Sequence, residues 1–339
     1  RGRNIKVVGE DRETTIIDGN QSGSVVIFLN EFGGGVSAAA MLSGFTITNG
    51  GDVEHGGGIR LSGGSNPTLN NLIVQNNEAN HGGGISLISS SPTLSNVTIS
   101  GNTASAGKGG GLRCISSSDP SLVNVIISGN TSSQDGGGIY SSNGILDITN
   151  TNISNNTATT GGGGGGICSI GGRLNLDNVQ ITDNSTLNSG GGIFAQTVLN
   201  STFSNITVSN NSALVSGGSI YFCCDSDVEI INSTFSNNSP QEIAFSDDAL
   251  GDSISVSYSN LDGGLESVVF FAGDTITWGS GNIDVDPMFV DTANGNYHLL
   301  ASSQLINAGD PDSTDSDGTI ADIGAYPYLN SYGGPTWYI

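Results

Sequence analysis

The sequence predicts an all-β solenoid, a parallel β-helix with about 27 residues per coil. Three observations predict it. A G-G-(G/S)-(I/L) stretch recurs seven times, closing at Ile59, Ile85, Leu112, Ile139, Ile167, Ile193 and Ile220 with spacings of 26, 27, 27, 28, 26 and 27. A second element follows each copy, centred on Val74, Ile99, Ile127, Ile153, Ile181, Val208 and Phe235. Asparagine flanks every one of those centres at three residues on either side. A fixed period of this length marks a stacked repeat, one supersecondary unit per copy.

Each part of the repeat has a physical reason. Around the centres, apolar and polar residues alternate with period two, as a strand with one buried face requires. Five residues before each centre stands a large apolar residue: Leu69, Leu94, Leu122, Ile148, Leu176, Phe203 and Ile230. Parallel coils about 4.8 Å apart bring equivalent residues into columns. Glycine at a corner permits a left-handed backbone and close approach. Asparagine tolerates the same backbone and can donate its side-chain amide to the next copy of itself. The preceding asparagines are Asn71, Asn96, Asn124, Asn150, Asn178, Asn205 and Asn232; the following ones are Asn77, Asn102, Asn130, Asn156, Asn184, Asn211 and Asn238. Both sets are expected to be structural. Sequons such as Asn96-Val-Thr98 and Asn205-Ile-Thr207 follow from the repeat, and inward stacking would shield them.

The paired G-G-x-I and F-x-x-N elements, the latter literal at Phe235-Ser236-Asn237-Asn238, resemble the repeats of polymorphic outer-membrane autotransporter adhesins and related bacterial right-handed parallel β-helix proteins. The resemblance covers about residues 45–240. It implies a right-handed coil, a secreted or surface-exposed location and an adhesive role. Other copies replace the Phe by Ile or Val, and nothing in the chain resembles a membrane-barrel translocator.

The flanks are less regular. Residues 1–44, with "NIKVVG", "TTIID" and "SVVIFL", are expected to form preceding coils, and residues 241–290 the last coils or a cap, completing a β-helix over 1–290. Residues 291–339 form an acidic C-terminal cap or tail, ending in "GGPTWYI", a strand that could open a further module. The opening reads as mid-domain sequence with no legible leader, so the parent protein is expected to begin upstream. The six glycines Gly161–Gly166 divide into a fixed corner, Gly164–Gly166, and loop slack, Gly161–Gly163.

Composition narrows the function. Net charge is −23, with only eight Lys and Arg and none after Arg173. Such a surface repels nucleic acid, anionic lipid and anionic polysaccharides, and no apolar run approaches the roughly 18 residues of a membrane span. In the tail, Asp310, Asp312, Asp315, Asp317 and Asp322 cluster around Gly318, a spacing that suits a structural calcium ion; the alternative is an acidic turn capping its own backbone.

The residue after each corner apolar position is expected to face outward. That column reads Arg60, Ser86, Arg113, Tyr140, Cys168, Phe194 and Tyr221. Arg60, Arg113, Tyr140, Phe194 and Tyr221 are the candidate ligand-binding residues, suited to a glycan or a surface protein; a covering loop is the alternative. His55 and His81 share another column with Lys108, Asp135, Gly163, Ser189 and Ser216, a polar turn that could hold a metal or supply a base. Cys114, Cys168, Cys223 and Cys224 lie too far apart for bridges between coils, leaving a vicinal Cys223–Cys224 pair as the one disulfide considered.

Two functions remain. One is an extracellular or cell-surface structural or adhesive module, whose open coil ends could stack end to end on further copies. The other is a polysaccharide-active enzyme, a glycoside hydrolase or lyase of the pectin-lyase-like class. Asp147, Asp177 and Asp183 occupy different positions in their coils, while Asp225, Asp227 and Glu229 alternate along one segment; no catalytic set is assigned.

Overall fold

A computed structural model describes residues 4–30, 36–248 and 250–329. The Trp337-Tyr338-Ile339 segment lies outside them. The described chain is a right-handed parallel β-helix. Twenty-three strands join into one continuous sheet wrapped around the axis, and six two-residue strands form a second face. The register is the one the repeat dictates: Ile59 pairs with Ile85, Leu112 with Ile139, Ile167 with Ile193, and Ile193 with Ile220. All these residues are fully buried. Leu69, Leu94, Leu122, Ile148, Leu176, Phe203 and Ile230 fill a second interior column, and the centres Val74 to Phe235 a third.

The irregular flanks belong to the same sheet. Lys6–Val8 and Ile16–Asp18 pair in parallel with Met41–Thr48, and Val26–Leu29 pairs with Ile59–Ser62. Beyond the asparagine repeat, Ile243–Phe245, Ser253–Ser257 and Thr275–Trp278 continue the coil. The tail then turns back. Phe289–Asp291 and Asn296–Leu299 form an antiparallel pair over a small core of Leu299, Leu305 and Ile323. The tail lies along the flank of the coils: Asn210 donates to the Tyr297 hydroxyl at 2.8 Å, the Asn232 side-chain oxygen accepts from the Asp310 N–H at 2.7 Å, and Thr207 Oγ1 accepts from the Ala325 N–H at 3.0 Å.

The two asparagine columns do different jobs. The preceding column, Asn71 to Asn232, sits at φ between 50° and 55° in every coil and makes the turn. The following column forms a buried ladder, each residue 0–8% exposed. In each rung one side-chain oxygen accepts both the backbone N–H and the side-chain amide of the preceding asparagine; Asn130 gives Asn156 these bonds at 3.0 and 2.9 Å. The second amide proton goes to a carbonyl of the coil before, as from Asn156 to Ile127. Inward stacking therefore applies only to this column. Asn96 is exposed and Asn205 half-buried, so the two sequons face outward, contrary to expectation.

The glycine corner is fixed by crowding. Within the six-glycine run, Gly164 has φ 74°, while only Gly161 borders open space. A Cβ on Gly162 would meet the Gln134 backbone at 2.3 Å, and one on Gly163 the Phe194 ring at 2.2 Å. The slack is one residue rather than three. At the middle corner position the coil is one backbone thick: a Cβ on Gly137 would lie 2.5 Å from the Thr157 nitrogen. Backbone cannot yield as a side chain does, so Gly137→Ala is expected to cost at least the roughly 1–3 kcal/mol of core overpacking. A lowered midpoint in chemical denaturation checks this; an unchanged one would show that the corner has room.

Candidate functional site

The pairing puts Arg60, Ser86, Arg113, Tyr140, Cys168, Phe194 and Tyr221 side by side on successive strands, pointing away from the core. The column is not an open face. Tyr140 is 7% exposed and Cys168 and Ser86 are fully buried, while Arg60, Arg113, Phe194 and Tyr221 are half-buried. What covers it is the histidine column. The corner glycines have no side chain to hold the preceding residues away, so His55, His81, Lys108 and Asp135 fold down over the neighbouring strands.

The two columns thus form one ledge. The Arg113 guanidinium reaches back across Ser86 to His55 Nδ1 at 3.3 Å. His55 and His81 rings lie 5.6 Å apart, and Glu54 stands 3.7 Å from His81 Nε2. Lys108 pairs with Asp135 at 2.7 Å, reaches the Tyr140 hydroxyl at 3.3 Å and lies 4.6 Å from its ring centre. Burial lowers the pKa of both histidines, and the Arg113 charge adds to it. Burial also lowers that of Arg113. The Lys108 pKa is raised, Asp135 outweighing desolvation. The Nε atoms of Arg60 and Arg113 are buried with no protein partner. Farther along, Phe194 and Tyr221 stack on each other with centres 5.5 Å apart. Each therefore spends one ring face on the other.

The tail aspartates accept hydrogen bonds from nearby backbone groups. Asp310 accepts the N–H of Asp312, Asp315 that of Asp322, and Asp317 both the N–H and hydroxyl of Thr319. Asp322 accepts from the N–H groups of Asn307 and Tyr328. Asp310 and Asp317 close local turns, while Asp315 and Asp322 tie together parts of the tail farther apart in sequence. Among the described residues no group of three or more His, Cys, Asp or Glu is arranged to hold a metal ion. Desolvation, with the charge of Asp322 behind it, raises the Asp315 pKa to about 6.

All four cysteines are free thiols, and Cys223 and Cys224 share a hydrogen bond instead of a bridge. Asp147 and Asp177, separated in register, nonetheless line one shallow hollow of about 200 Å³. Sequence reasoning treated the histidine and arginine columns as separate; only the direction in which the corner folds brings them together.

A family model described as a right-handed beta helix region matches residues 26–163. Among solved structures, the crystal structure of pectate lyase Pel9A aligns at 12% identity with a TM-score of 0.41, covering 90% of this chain and 86% of that one. No curated protein matches the chain. The fold is a right-handed parallel β-helix. No helix among the described residues is long and apolar enough to cross a membrane.

Proposed function

We propose that this chain is an extracellular or cell-surface β-helix module with an adhesive role, and that its ledge receives an acidic partner. One observation carries the reading. Arg60, Lys108 and Arg113, three of only eight Lys and Arg in a chain of net charge −23, gather on this ledge. Arg60 and Arg113 are half-buried on this ledge, and an arginine meets a planar anion such as a carboxylate in paired hydrogen bonds through its outer nitrogens. The fully paired coil supports a rod that presents this ledge without deforming. The likeness of the repeats to those of autotransporter adhesins supports the setting.

The test is binding to immobilised alginate, hyaluronan and polygalacturonate at low and high salt. Wild-type protein is expected to bind at least one of them in a salt-sensitive way. Arg60→Gln with Arg113→Gln is expected to weaken that binding at least about ten-fold, the equivalent of one net charge-assisted hydrogen bond. Equal binding by the double variant would remove the ledge from the account.

A further inference from the structure

We infer that the cleft between the tail and the flank of the coils is a second site, and that it takes an uncharged carbohydrate. It lies at the turn-asparagine column, a different position in the coil from the ledge, and goes beyond the function proposed above.

The cleft encloses about 460 Å³ and is walled by Asn150, Asn178, Ser204 and Asn205 on the coil side and by Asp315 and Tyr326 on the tail side. That volume falls within the roughly 300–1,000 Å³ of small-molecule sites. Its chemistry is specific in kind. Side-chain amides, hydroxyls and one carboxylate stand beside a single aromatic ring, with the Ser204 hydroxyl and an Asn205 amide proton already donated to Asp177. None of the described lining residues is Lys or Arg, so nothing in the cleft offsets the protein's overall negative charge as Arg60, Lys108 and Arg113 do on the ledge. A polyhydroxylated, neutral ligand matches such a wall; an anion does not.

The wall is rigid on both sides. The coil side is set by strand register, which spaces equivalent amides by one coil. The tail side is held by the Asn210–Tyr297, Asn232–Asp310 and Thr207–Ala325 contacts. Tyr326 is braced by stacking on His298 at 4.7 Å. The same asparagine column already shows what it binds. Asn232 holds the tail by accepting the Asp310 N–H on its side-chain oxygen and the Gly324 N–H on its backbone carbonyl. Its equivalents Asn178 and Asn150, two and three coils away, line the open cleft. Asn178 is half-buried and Asn150 exposed.

The experiment uses the full chain and neutral cello-, xylo-, manno- and galacto-oligosaccharides, read by calorimetry and by saturation-transfer NMR. Asn150→Gly with Asn178→Gly removes two amides while keeping residues that accept the left-handed turn. At least one neutral series is expected to bind. The double glycine variant should weaken it about ten-fold or more with unchanged circular dichroism, and Tyr326→Ala should also weaken it. Arg60→Gln with Arg113→Gln should leave it unchanged, which separates this site from the ledge. Binding of no neutral series, binding confined to uronate oligosaccharides, or full binding by the glycine variant would each overturn the inference.

Discussion

Replacing Asn156 by alanine is expected to destabilise the chain by about 3–5 kcal/mol. The side chain at this rung accepts two hydrogen bonds from Asn130 and donates to Ile127 and Asn184. Its removal strands two buried donors and one buried carbonyl, each costing about 1–3 kcal/mol when left unmade. The residue is fully buried, so bulk water offers little relief. Asn156→Asp should be at least as damaging, because its carboxylate would face the Asn184 oxygen and carry a buried charge. In a solenoid each coil contacts only its neighbours. Hydrogen exchange should therefore show protection lost first around residues 127–184. A variant that unfolds at the wild-type denaturant concentration would mean the ladder is filler.

The ladder ends on an acid, and this gives the second large effect. Asn238 donates its backbone N–H to Glu242 at 3.1 Å and its side-chain amide to the other carboxylate oxygen at 2.6 Å. The next corner arrives early, Ile220 pairing directly with Ile243, so Glu242 stands where another asparagine would. Burial raises its pKa from 4.5 to about 7. The folded chain then holds this proton more tightly than the unfolded chain. Stability from this group is greatest below about pH 4.5 and is lost as pH rises toward and through 7. At about 1.4 kcal/mol per pH unit, the penalty at pH 8 is about 3 kcal/mol. Asp252, raised to about 6 by burial, acts in the same direction. Wild-type protein should therefore melt higher at pH 5 than at pH 8. Glu242→Gln should flatten much of that slope and melt above wild type at pH 8. A variant that keeps the full slope would assign it to other carboxylates.

The coil was legible because its constraints repeat. One buried face per strand and one glycine corner per turn leave a period of 26–28 residues that chance does not produce. Arg60, Arg113, Tyr140, Phe194 and Tyr221 were readable as a column for the same reason. The burial of Arg113 and Tyr140 was not, since it depends on His55 and Lys108 folding across from a corner whose direction the period does not encode. The split between the two asparagine columns was equally hidden: residues three before and three after a centre look alike in sequence, and only the backbone shows that one turns and the other stacks. The tail was hardest. Asp310, Asp315 and Asp322 suggest a cation loop by spacing, but spacing does not tell that each carboxylate accepts backbone N–H groups, nor that Tyr297 reaches Asp183 at 3.2 Å across the flank.

The central claim is that a rigid coil carries two surfaces of different chemistry, and a crossed binding measurement tests it most directly. Wild-type protein, the Arg60→Gln/Arg113→Gln variant and the Asn150→Gly/Asn178→Gly variant would be titrated with one acidic and one neutral oligosaccharide series. The account predicts that the arginine variant loses the acidic series and keeps the neutral one, while the glycine variant does the reverse. Loss of both series in either variant, or of neither in both, would contradict it.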